Sequence, residues 1–303
     1  MLRYEHGGNA NYALDFSVNT NPLGTPESVK RAVREFADYS YPDPDCKKLR
    51  FALAKHHGIP PDMFLCGNGA SELIMSVCAA LKPKAAHIKQ PTFSEYERCA
   101  ELHKGGGADI MCICNPNNPT GQLADIPDTE NLLLIDECFI EFSRGETMLP
   151  KLKERPNILV LRAFTKIYGM AGLRLGYLCS ADTDLLVRIK EYLPAWNVSG
   201  IAQSAGIAAL SEKDWLEKTL EILETEREFM TAELTSLGLS VTPSDCNILL
   251  IKSERPLREK LKQRGIFTRS CENFTGLDNK YIRIGLKTRE ENLVLLKAIG
   301  EVL

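Results

Sequence analysis

Short apolar runs that each end in a polar loop are the feature that most limits what this chain can fold into. They are MFLC (63–66), IMCIC (110–114), LLLIDE (132–137) and ILVL (158–161). A run of this kind is typical of a strand buried inside a mostly parallel sheet. In open α/β sheets the ligand binds at the carboxyl ends of the strands. The pattern therefore predicts an α/β fold with a ligand site along one sheet edge.

Charge and composition favour a small-molecule partner. The 303-residue chain has a formal net charge of −3, which gives no field that attracts nucleic acid or an anionic membrane surface. No apolar run approaches a membrane span and the start does not resemble a signal peptide, so we expect a cytoplasmic protein without membrane contact. The 10 cysteines include no CxxC pair. We therefore expect reduced core thiols and no metal site.

The segment RAFTKIYGMAGLRLG (162–176) carries a lysine soon after the last of these runs. This places Lys166 at the sheet edge, where burial lowers the pKa of an amine and frees it to bond covalently to a carbonyl group. Arg174, set among glycines, can pair with a phosphate. A surface lysine after a strand is the alternative interpretation. The spacing of Thr165 and Lys166 from Arg174 favours a site.

The loop GNGAS (67–71) lies between a predicted strand and a predicted helix over 72–81. Such a loop offers free backbone amides and the positive end of the helix dipole to a phosphate. A dinucleotide-binding fold is the rival interpretation. That fold requires an acidic residue at the end of its second strand, whereas the next strand here, over 86–89, is followed by QPTF.

Three further positions indicate a flat ring with a nitrogen atom as the ligand. Phe93, with Tyr96 as the alternative, follows a strand and can stack on a heterocycle. Asn118 is held in the turn NPNNPTG (115–121), and its amide can donate to a phenolate oxygen. Asp136 ends a strand, where a carboxylate is costly unless it is paired, and a protonated pyridine nitrogen satisfies it. A capping role is the alternative for Asp136.

The C-terminal part, about 239–303, alternates short strands and helices and predicts a small α+β domain. It contains Arg269 and, within YIRIG, Arg283. A mid-strand arginine between apolar residues either faces an edge or is recruited to an anion, and its planar fork suits a carboxylate. At the other end of the chain, HGGN (6–9) can form an anion-binding nest of amides, with a frayed terminus as the alternative.

The order and spacing of GNGASE, NPNNPTG, LLLIDE, TKxxGxAGLRLGY and YIRIGL resemble those of fold-type I pyridoxal-phosphate enzymes, in the class I and II aminotransferase group. The resemblance covers most of the chain. It implies the aminotransferase type I fold, with a large, mostly parallel-sheet domain over 29–215 and a small α+β domain formed by 216–303 with the N-terminal arm, 1–28. It also implies pyridoxal 5′-phosphate as the cofactor and a homodimer with shared active sites.

The resemblance also assigns roles to residues. Lys166 binds the cofactor covalently and moves the proton at the substrate Cα, Asp136 contacts the pyridine nitrogen, and Asn118 contacts the 3′ oxygen. Phe93 stacks on the ring. The cofactor phosphate is surrounded by Gly69, Ala70, Ser71, Thr165 and Arg174, and Tyr41 reaches the phosphate of the partner subunit. Arg283 binds the substrate carboxylate, and the remaining substrate contacts come from His6, Gly7, Gly8, Asn9, Asn21 and Arg269.

Two branches of the group, both acting on phosphorylated substrates, fit the sequence. The start HGGN, the turn YPDPD (41–45) and DECFIEF (136–142) look like the branch that decarboxylates L-threonine O-3-phosphate in cobalamin synthesis. Histidinol-phosphate aminotransferases are the alternative, although aminotransferases usually place a tyrosine where this chain has Phe139. A non-catalytic cofactor-binding protein on the same fold is a second alternative. Arg283 and its neighbours decide which Cα bond breaks, so decarboxylation and transamination both stay open.

Three departures from the group's pattern accompany the resemblance. Ala163 stands where a serine or threonine that contacts the phosphate is usual, which removes one hydrogen bond worth about 1 kcal/mol. The segment around 104–108 is short, so a strand and a helix common in the group are expected to be absent there. The segment 121–132 leaves little room for a full helix.

Overall fold

The computed structural model describes Gly7, Gly8 and residues 12–303. Its strands are β1 Leu14–Asp15, β2 Phe64–Gly67, β3 Ala86–Ile88, β4 Ile110–Cys114, β5 Leu132–Asp136, β6 Ile158–Ala163, β7 Gly176–Cys179, β8 Ser240–Val241, β9 Ile248–Lys252, β10 Ile266–Phe267, β11 Arg269–Ser270 and β12 Tyr281–Gly285. Its α-helices are α1 Glu27–Arg34, α2 Lys47–His57, α3 Ala70–Leu81, α4 Glu95–Leu102, α5 Phe164–Ile167, α6 Thr183–Lys190, α7 Gly200–Ala209, α8 Trp215–Ser236, α9 Leu257–Gln263 and α10 Arg289–Val302.

The larger sheet has six strands in the order β2-β7-β6-β5-β4-β3. Strands β3 to β6 are parallel to one another, and β7 is antiparallel to both of its neighbours, β2 and β6. β2 therefore points the same way as β6, so every strand of this sheet except β7 ends at the same edge. β6 is buried along its whole length, which explains why its sequence is a continuous apolar run. The predicted α/β fold with a mostly parallel sheet is confirmed.

The chain takes a short route from β3 to β4. After α4 it turns through Gly105–Gly107 directly into β4, and β3 is left at the edge of the sheet. A side chain at Gly107 would place its Cβ 2.0 Å from the Leu81 carbonyl oxygen, so this close passage across the end of α3 requires glycine. Residues 115–131, all of them described, contain no helix between β4 and β5. The elements expected to be missing are therefore absent from both segments.

The second sheet is antiparallel, with the strand order β11-β12-β9-β8. β1 pairs in parallel with β10, so the first described strand joins the C-terminal part of the chain. The N–H of Gly285 in β12 also donates to the Phe16 carbonyl at 2.9 Å. This is the small α+β sheet that the sequence predicts, together with its N-terminal arm. The boundaries at residues 28–29 and 215–216 stay predictions.

All ten cysteines are buried free thiols, as the sequence predicts. Burial raises the pKa of Cys78 to about 12 and that of Cys99 to about 11. These thiols are therefore neutral near pH 7 and behave as small apolar side chains. Within residues 12–303 no helix combines the length and the apolar character that a membrane crossing requires.

Candidate active site

A cavity of about 320 Å³ lies at the carboxyl edge of the larger sheet. Loops that follow β2 to β6 form one side of it, and the second sheet and the N-terminal arm form the other. The predicted site residues that line it are Gly7, Ala70, Ser71, Phe93, Asn118, Asp136, Thr165, Lys166, Arg174, Arg269 and Arg283. The fold therefore brings together side chains from nearly the full length of the chain at one place.

Lys166 lies on α5, a single helical turn that follows β6 directly. The side chain is partly buried and faces the cavity, with Nζ 6.0 Å from the centre of the Phe139 ring. Burial, and then the positive charge of Arg283, lower the pKa of Lys166 to about 8. A useful fraction of the amine is therefore neutral near physiological pH, which is the form that attacks a carbonyl carbon.

The lowered pKa of Lys166 predicts a pH-dependent stability of the apo-protein. Between pH 8 and 10.5, the ordinary value, the unfolded chain holds a proton that the folded chain has released, so stability rises with pH in that window. Below pH 8 both states hold the proton, and the folded state bears the full cost of burying the charge. Lys166→Met should therefore be more stable than the parent at pH 7, with a difference that shrinks above pH 8.

Urea unfolding midpoints of the apo-proteins across pH 6–10.5 measure this difference. Lys190→Met is the control, because Lys190 is an exposed partner of Asp45. If the Lys166→Met and parent curves stay parallel over the whole pH range, the buried-amine interpretation is wrong.

Asp136 ends β5 and is 4% exposed. Its Oδ1 accepts a hydrogen bond from the Cys138 N–H at 2.9 Å, and its Oδ2 accepts one from the Tyr96 hydroxyl at 2.6 Å. Both donors are neutral, and none of the described residues forms a salt bridge with Asp136. Burial raises the pKa of this carboxyl. A buried carboxylate held in this way needs a cation, and a protonated ring nitrogen in the cavity supplies one.

The two predicted aromatic residues have different places. Tyr96 is fully buried, and its hydroxyl is used by Asp136. Phe93 is only partly buried and lines the cavity, with its ring edge-on to that of Tyr96 at a centroid distance of 5.6 Å. Phe93 is therefore the better placed of the two for stacking on a flat ligand, and Tyr96 orients the carboxylate.

The glycine loop forms an anion cradle at the start of α3. Gly69 has φ 83°, and a Cβ there would lie 2.6 Å from Nη2 of Arg174, so only glycine fits. Ala70 and Ser71 begin the helix and line the cavity beside Thr165. Helix-end amides, a guanidinium and a hydroxyl together suit a phosphate. Ala163 also lines the cavity, and its methyl group offers no hydrogen bond there.

Arg269 and Arg283 are directly opposite each other in the β11–β12 pair, and both are buried. Arg283 Nη1 donates to Asn118 Oδ1 at 2.6 Å and Nη2 donates to the Ser17 carbonyl, while Nε has no partner in the described chain. Burial and Arg269 lower the pKa of Arg283 to about 10. Like charges in opposite positions are destabilising. A bound anion would reduce the repulsion between these two guanidinium groups, so the pair favours anion binding.

Asn21, which the resemblance assigns to the substrate contacts, lies outside the cavity. Asn21 is 3% exposed and does not line the cavity. Its Nδ2 donates to the Ile167 carbonyl at 2.8 Å and to Thr219 Oγ1 at 2.7 Å, and its Oδ1 accepts from the Leu23 N–H. Both N–H donors of the amide are therefore used inside the protein.

Asn19 is a cavity residue with a free polar group that the sequence did not predict. It lines the cavity, and its buried Nδ2 has no hydrogen-bond partner among the described residues. An unpaired donor of this kind is costly and indicates a ligand acceptor nearby. No sequence pattern separates Asn19 from Asn21, because both precede the same proline turn.

The remaining predicted contacts are only partly described. His6 and Asn9 lie outside the described residues. Gly8 does not line the cavity, but its N–H donates to Ser17 Oγ, which does. Tyr41 is 80% exposed and packs on the Trp196 ring with centroids 4.6 Å apart, outside this cavity. Its contact with the cofactor phosphate of a partner subunit stays a prediction.

Known proteins similar to this chain share one family. A family model described as aminotransferase class I and II matches residues 12–109 and 103–299. A threonine-phosphate decarboxylase from Salmonella typhimurium LT2 is 37% identical, over all of this chain and 98% of the relative. Histidinol-phosphate aminotransferase 2 from Carboxydothermus hydrogenoformans is 32% identical, over 94% of this chain and 90% of the relative. The solved histidinol-phosphate aminotransferase from Clostridium acetobutylicum has a TM-score of 0.87 at 27% identity, over 95% of this chain and 98% of that chain.

The matches also bear on the short segments. The alignment with the Salmonella relative spans 355 positions, although this chain has 303 residues, so the relative carries segments that are missing here. The two matched stretches of the family model meet at 103–109, at the glycine turn before β4. The family uses pyridoxal 5′-phosphate, as the resemblance in the sequence implied. With matches over nearly its whole length, this chain belongs to the aminotransferase class I and II family.

Proposed function

We propose that this protein is a pyridoxal-phosphate-dependent enzyme that decarboxylates L-threonine O-3-phosphate in the cytoplasm, as part of cobalamin side-chain synthesis. The observation that carries the proposal is the pair of buried guanidiniums, Arg269 and Arg283, that share a cavity with Lys166. A substrate with a carboxylate and a phosphate has one anionic group to pair with each of the two guanidiniums. The 37% identity to a threonine-phosphate decarboxylase supports the same substrate class.

The residues of the cavity fit pyridoxal 5′-phosphate. Lys166 would hold its carbonyl carbon, and Asp136, which lacks a cationic partner among the described residues, would hold its ring nitrogen. Phe93 would stack on the ring and the Asn118 amide would donate to the 3′ oxygen, since Asn118 Oδ1 is already used by Arg283. The phosphate would take the cradle formed by Gly69, Ala70, Ser71, Thr165 and Arg174. When bound, this cofactor withdraws electrons from the substrate Cα, so that a bond at that carbon can break.

The arginines orient the substrate. Arg283 binds the carboxylate, and its own position is fixed by Asn118 and the Ser17 carbonyl. Arg269, held by Asn273 Oδ1 at 2.8 Å and stacked on Phe274, takes the phosphate, with Asn19 Nδ2 as a further donor. With both ends held, the direction of each Cα bond is fixed, and this direction decides which bond breaks.

Lys166 supplies the proton that completes the reaction. Breaking the bond between Cα and the carboxylate releases carbon dioxide and leaves an electron pair at Cα. That carbon must then gain a proton, and the Lys166 ammonium, which lines the same cavity, would donate it. A pKa of about 8 keeps most of the amine protonated at neutral pH while leaving it acidic enough to donate.

Transamination of histidinol phosphate is the second candidate. It is favoured by the 32% identity to a histidinol-phosphate aminotransferase over 94% of this chain. Phe139 argues against it, because this buried ring lines the cavity without the hydroxyl that aminotransferases usually have there. A third possibility, a protein that binds the cofactor without catalysis, is covered by the same experiment.

The test supplies purified protein and pyridoxal 5′-phosphate with either of two substrates. We expect threonine phosphate to release carbon dioxide with no keto acid present. Consumption of 2-oxoglutarate with histidinol phosphate, without carbon dioxide release, would replace the decarboxylase assignment with the aminotransferase one. Cofactor binding with no turnover of either substrate would leave only the binding role.

We place the active enzyme in a homodimer. The exposed aromatic pair Tyr41 and Trp196 supports this, since large exposed aromatic side chains are enriched at protein interfaces. Sedimentation at several concentrations measures the assembly. Tyr41→Phe should weaken cofactor binding without dissociating the dimer if the hydroxyl reaches the neighbouring phosphate.

A further inference from the structure

The helical turn that carries Lys166 receives several of its hydrogen bonds from other segments of the chain. α5 is only four residues long, and the last carbonyls of a helix have no partner within it. The Lys166 carbonyl accepts from the Gly169 N–H, just past α5, at 3.1 Å and from the distant Asn21 N–H at 3.0 Å. The Ile167 carbonyl accepts from Asn21 Nδ2 and from Trp215 Nε1, both at 2.8 Å. Three donors from two distant parts of the chain therefore hold the backbone at and just after Lys166.

The fully buried Thr219 connects the two residues that supply these donors. Its Oγ1 accepts from Asn21 Nδ2 at 2.7 Å and donates to the Trp215 carbonyl at 2.7 Å. Trp215 and Thr219 are four residues apart on α8 and so lie on one face of that helix. We call Asn21, Trp215 and Thr219 the lysine-holding cluster. Hydrogen bonds link Asn21 to Thr219 and Thr219 to Trp215, and both Asn21 and Trp215 donate to the Ile167 carbonyl. These bonds form a closed ring at the end of α5.

The same N-terminal segment also contacts the arginine side of the cavity. The Ser17 carbonyl accepts from Arg283 Nη2, and the Asn19 carbonyl accepts from Asn247 Nδ2 at 2.9 Å. A short stretch of backbone, from Ser17 to Asn21, thus joins the guanidinium at one end to the lysine turn at the other. Its length sets how far the amine lies from an anion bound at Arg283.

We propose that Asn21, supported by Trp215 and Thr219, is a positioning residue that fixes the Lys166 amine relative to the anion held by Arg283. Asn21 touches neither the cavity nor a reacting atom, and it acts only through the Lys166 and Ile167 carbonyls. The proposal rests on the proposed function of Lys166 as the amine that bonds to the cofactor. A displacement of about 1 Å in a reacting group costs about 100-fold in rate, so even a small loosening of α5 has a measurable effect.

The test compares Asn21→Ala with the control Asn157→Ala. Asn157 also donates its amide to two backbone carbonyls, those of Thr129 and Asn131 at 2.7 and 2.8 Å, but at the opposite end of β6. Each apo-protein is mixed with pyridoxal 5′-phosphate across pH 6–10, and the adduct is trapped with borohydride and located by mass spectrometry. We expect Asn21→Ala to form the Lys166 adduct about tenfold more slowly, and the control to match the parent.

Steady-state kinetics give a second readout. Asn21→Ala should lower kcat by a similar factor and change KM by less than about twofold, because Arg283 stays in place. Trp215→Phe keeps an aromatic ring at this position but removes the Nε1 donor to the Ile167 carbonyl. It should therefore show a smaller decrease in adduct formation and in kcat than Asn21→Ala. This variant carries the test if Asn21→Ala fails to fold.

Two results would overturn the positioning role. If Asn21→Ala and Trp215→Phe form the adduct at the parent rate and lose only stability, the cluster is merely structural. A parent protein that forms no adduct at Lys166 overturns the proposed function as well. The two failures are distinguishable, because adduct formation in the parent requires neither substrate nor turnover.

Discussion

Lys166→Ala should lose the covalent adduct with pyridoxal 5′-phosphate and lower the turnover of threonine phosphate by about 10⁴-fold or more. The variant lacks the amine that we propose as both the covalent ligand of the cofactor and the acid that protonates Cα. The cradle at Gly69–Ser71 and the carboxylate of Asp136 remain, so reversible cofactor binding should persist. Borohydride trapping with mass spectrometry, and carbon dioxide release, measure the two losses separately.

Lys190→Ala is the matched control for this experiment. Lys190 pairs with Asp45 on the surface, and such pairs contribute at most about 1 kcal/mol to stability. The control should keep the parent's adduct and turnover. An adduct that survives in Lys166→Ala at another lysine would remove Lys166 from its assigned role.

Arg283→Gln should have opposite effects on activity and on stability. Loss of the guanidinium that we propose as the ligand of the substrate carboxylate should lower kcat/KM for threonine phosphate by about 10²- to 10³-fold. The apo-protein should become more stable, because a buried cation whose pKa is lowered by burial and by Arg269 has been removed. Steady-state kinetics and urea midpoints of the apo-protein measure the two effects.

Arg144→Gln controls for the loss of an arginine at the surface. Arg144 pairs with Glu217 and Glu224 at exposed positions, so both kcat/KM and the unfolding midpoint should stay close to the parent values. If Arg283→Gln instead keeps its kcat/KM and loses stability, Arg283 is a structural residue, and the substrate carboxylate binds elsewhere.

Strands β5 and β6 of the larger sheet could be predicted because their continuous apolar runs record burial on both faces. The run 110–114 coincides with β4, and β5 begins where LLLIDE begins. The direction of β7 could not be predicted, since period and composition do not distinguish a parallel from an antiparallel strand. The start of α3 lies two residues earlier than predicted, because the helix begins directly after the positive-φ residue Gly69.

The place of a residue in the cavity was predictable where a polar side chain follows or interrupts an apolar strand. Lys166, Asp136 and Arg283 all fit that description, and all three line the cavity. The sequence could not show that Asn19 lines the cavity and Asn21 does not, because this depends on hydrogen bonds between residues that are far apart in sequence. Asn21 is 146 positions from Ile167 and 198 from Thr219.

The pairing of β1 with β10 has a consequence for the order in which the molecule forms. The larger sheet uses strands that end at Cys179, whereas the cavity also requires β11 and β12 and the arm that pairs near them. During synthesis, N-terminal units fold first, at about 5–20 residues per second. The larger sheet can therefore assemble while the segment that carries β10, β11 and β12 is still being made. The cavity is complete only when that segment has been made and has paired with the N-terminal arm.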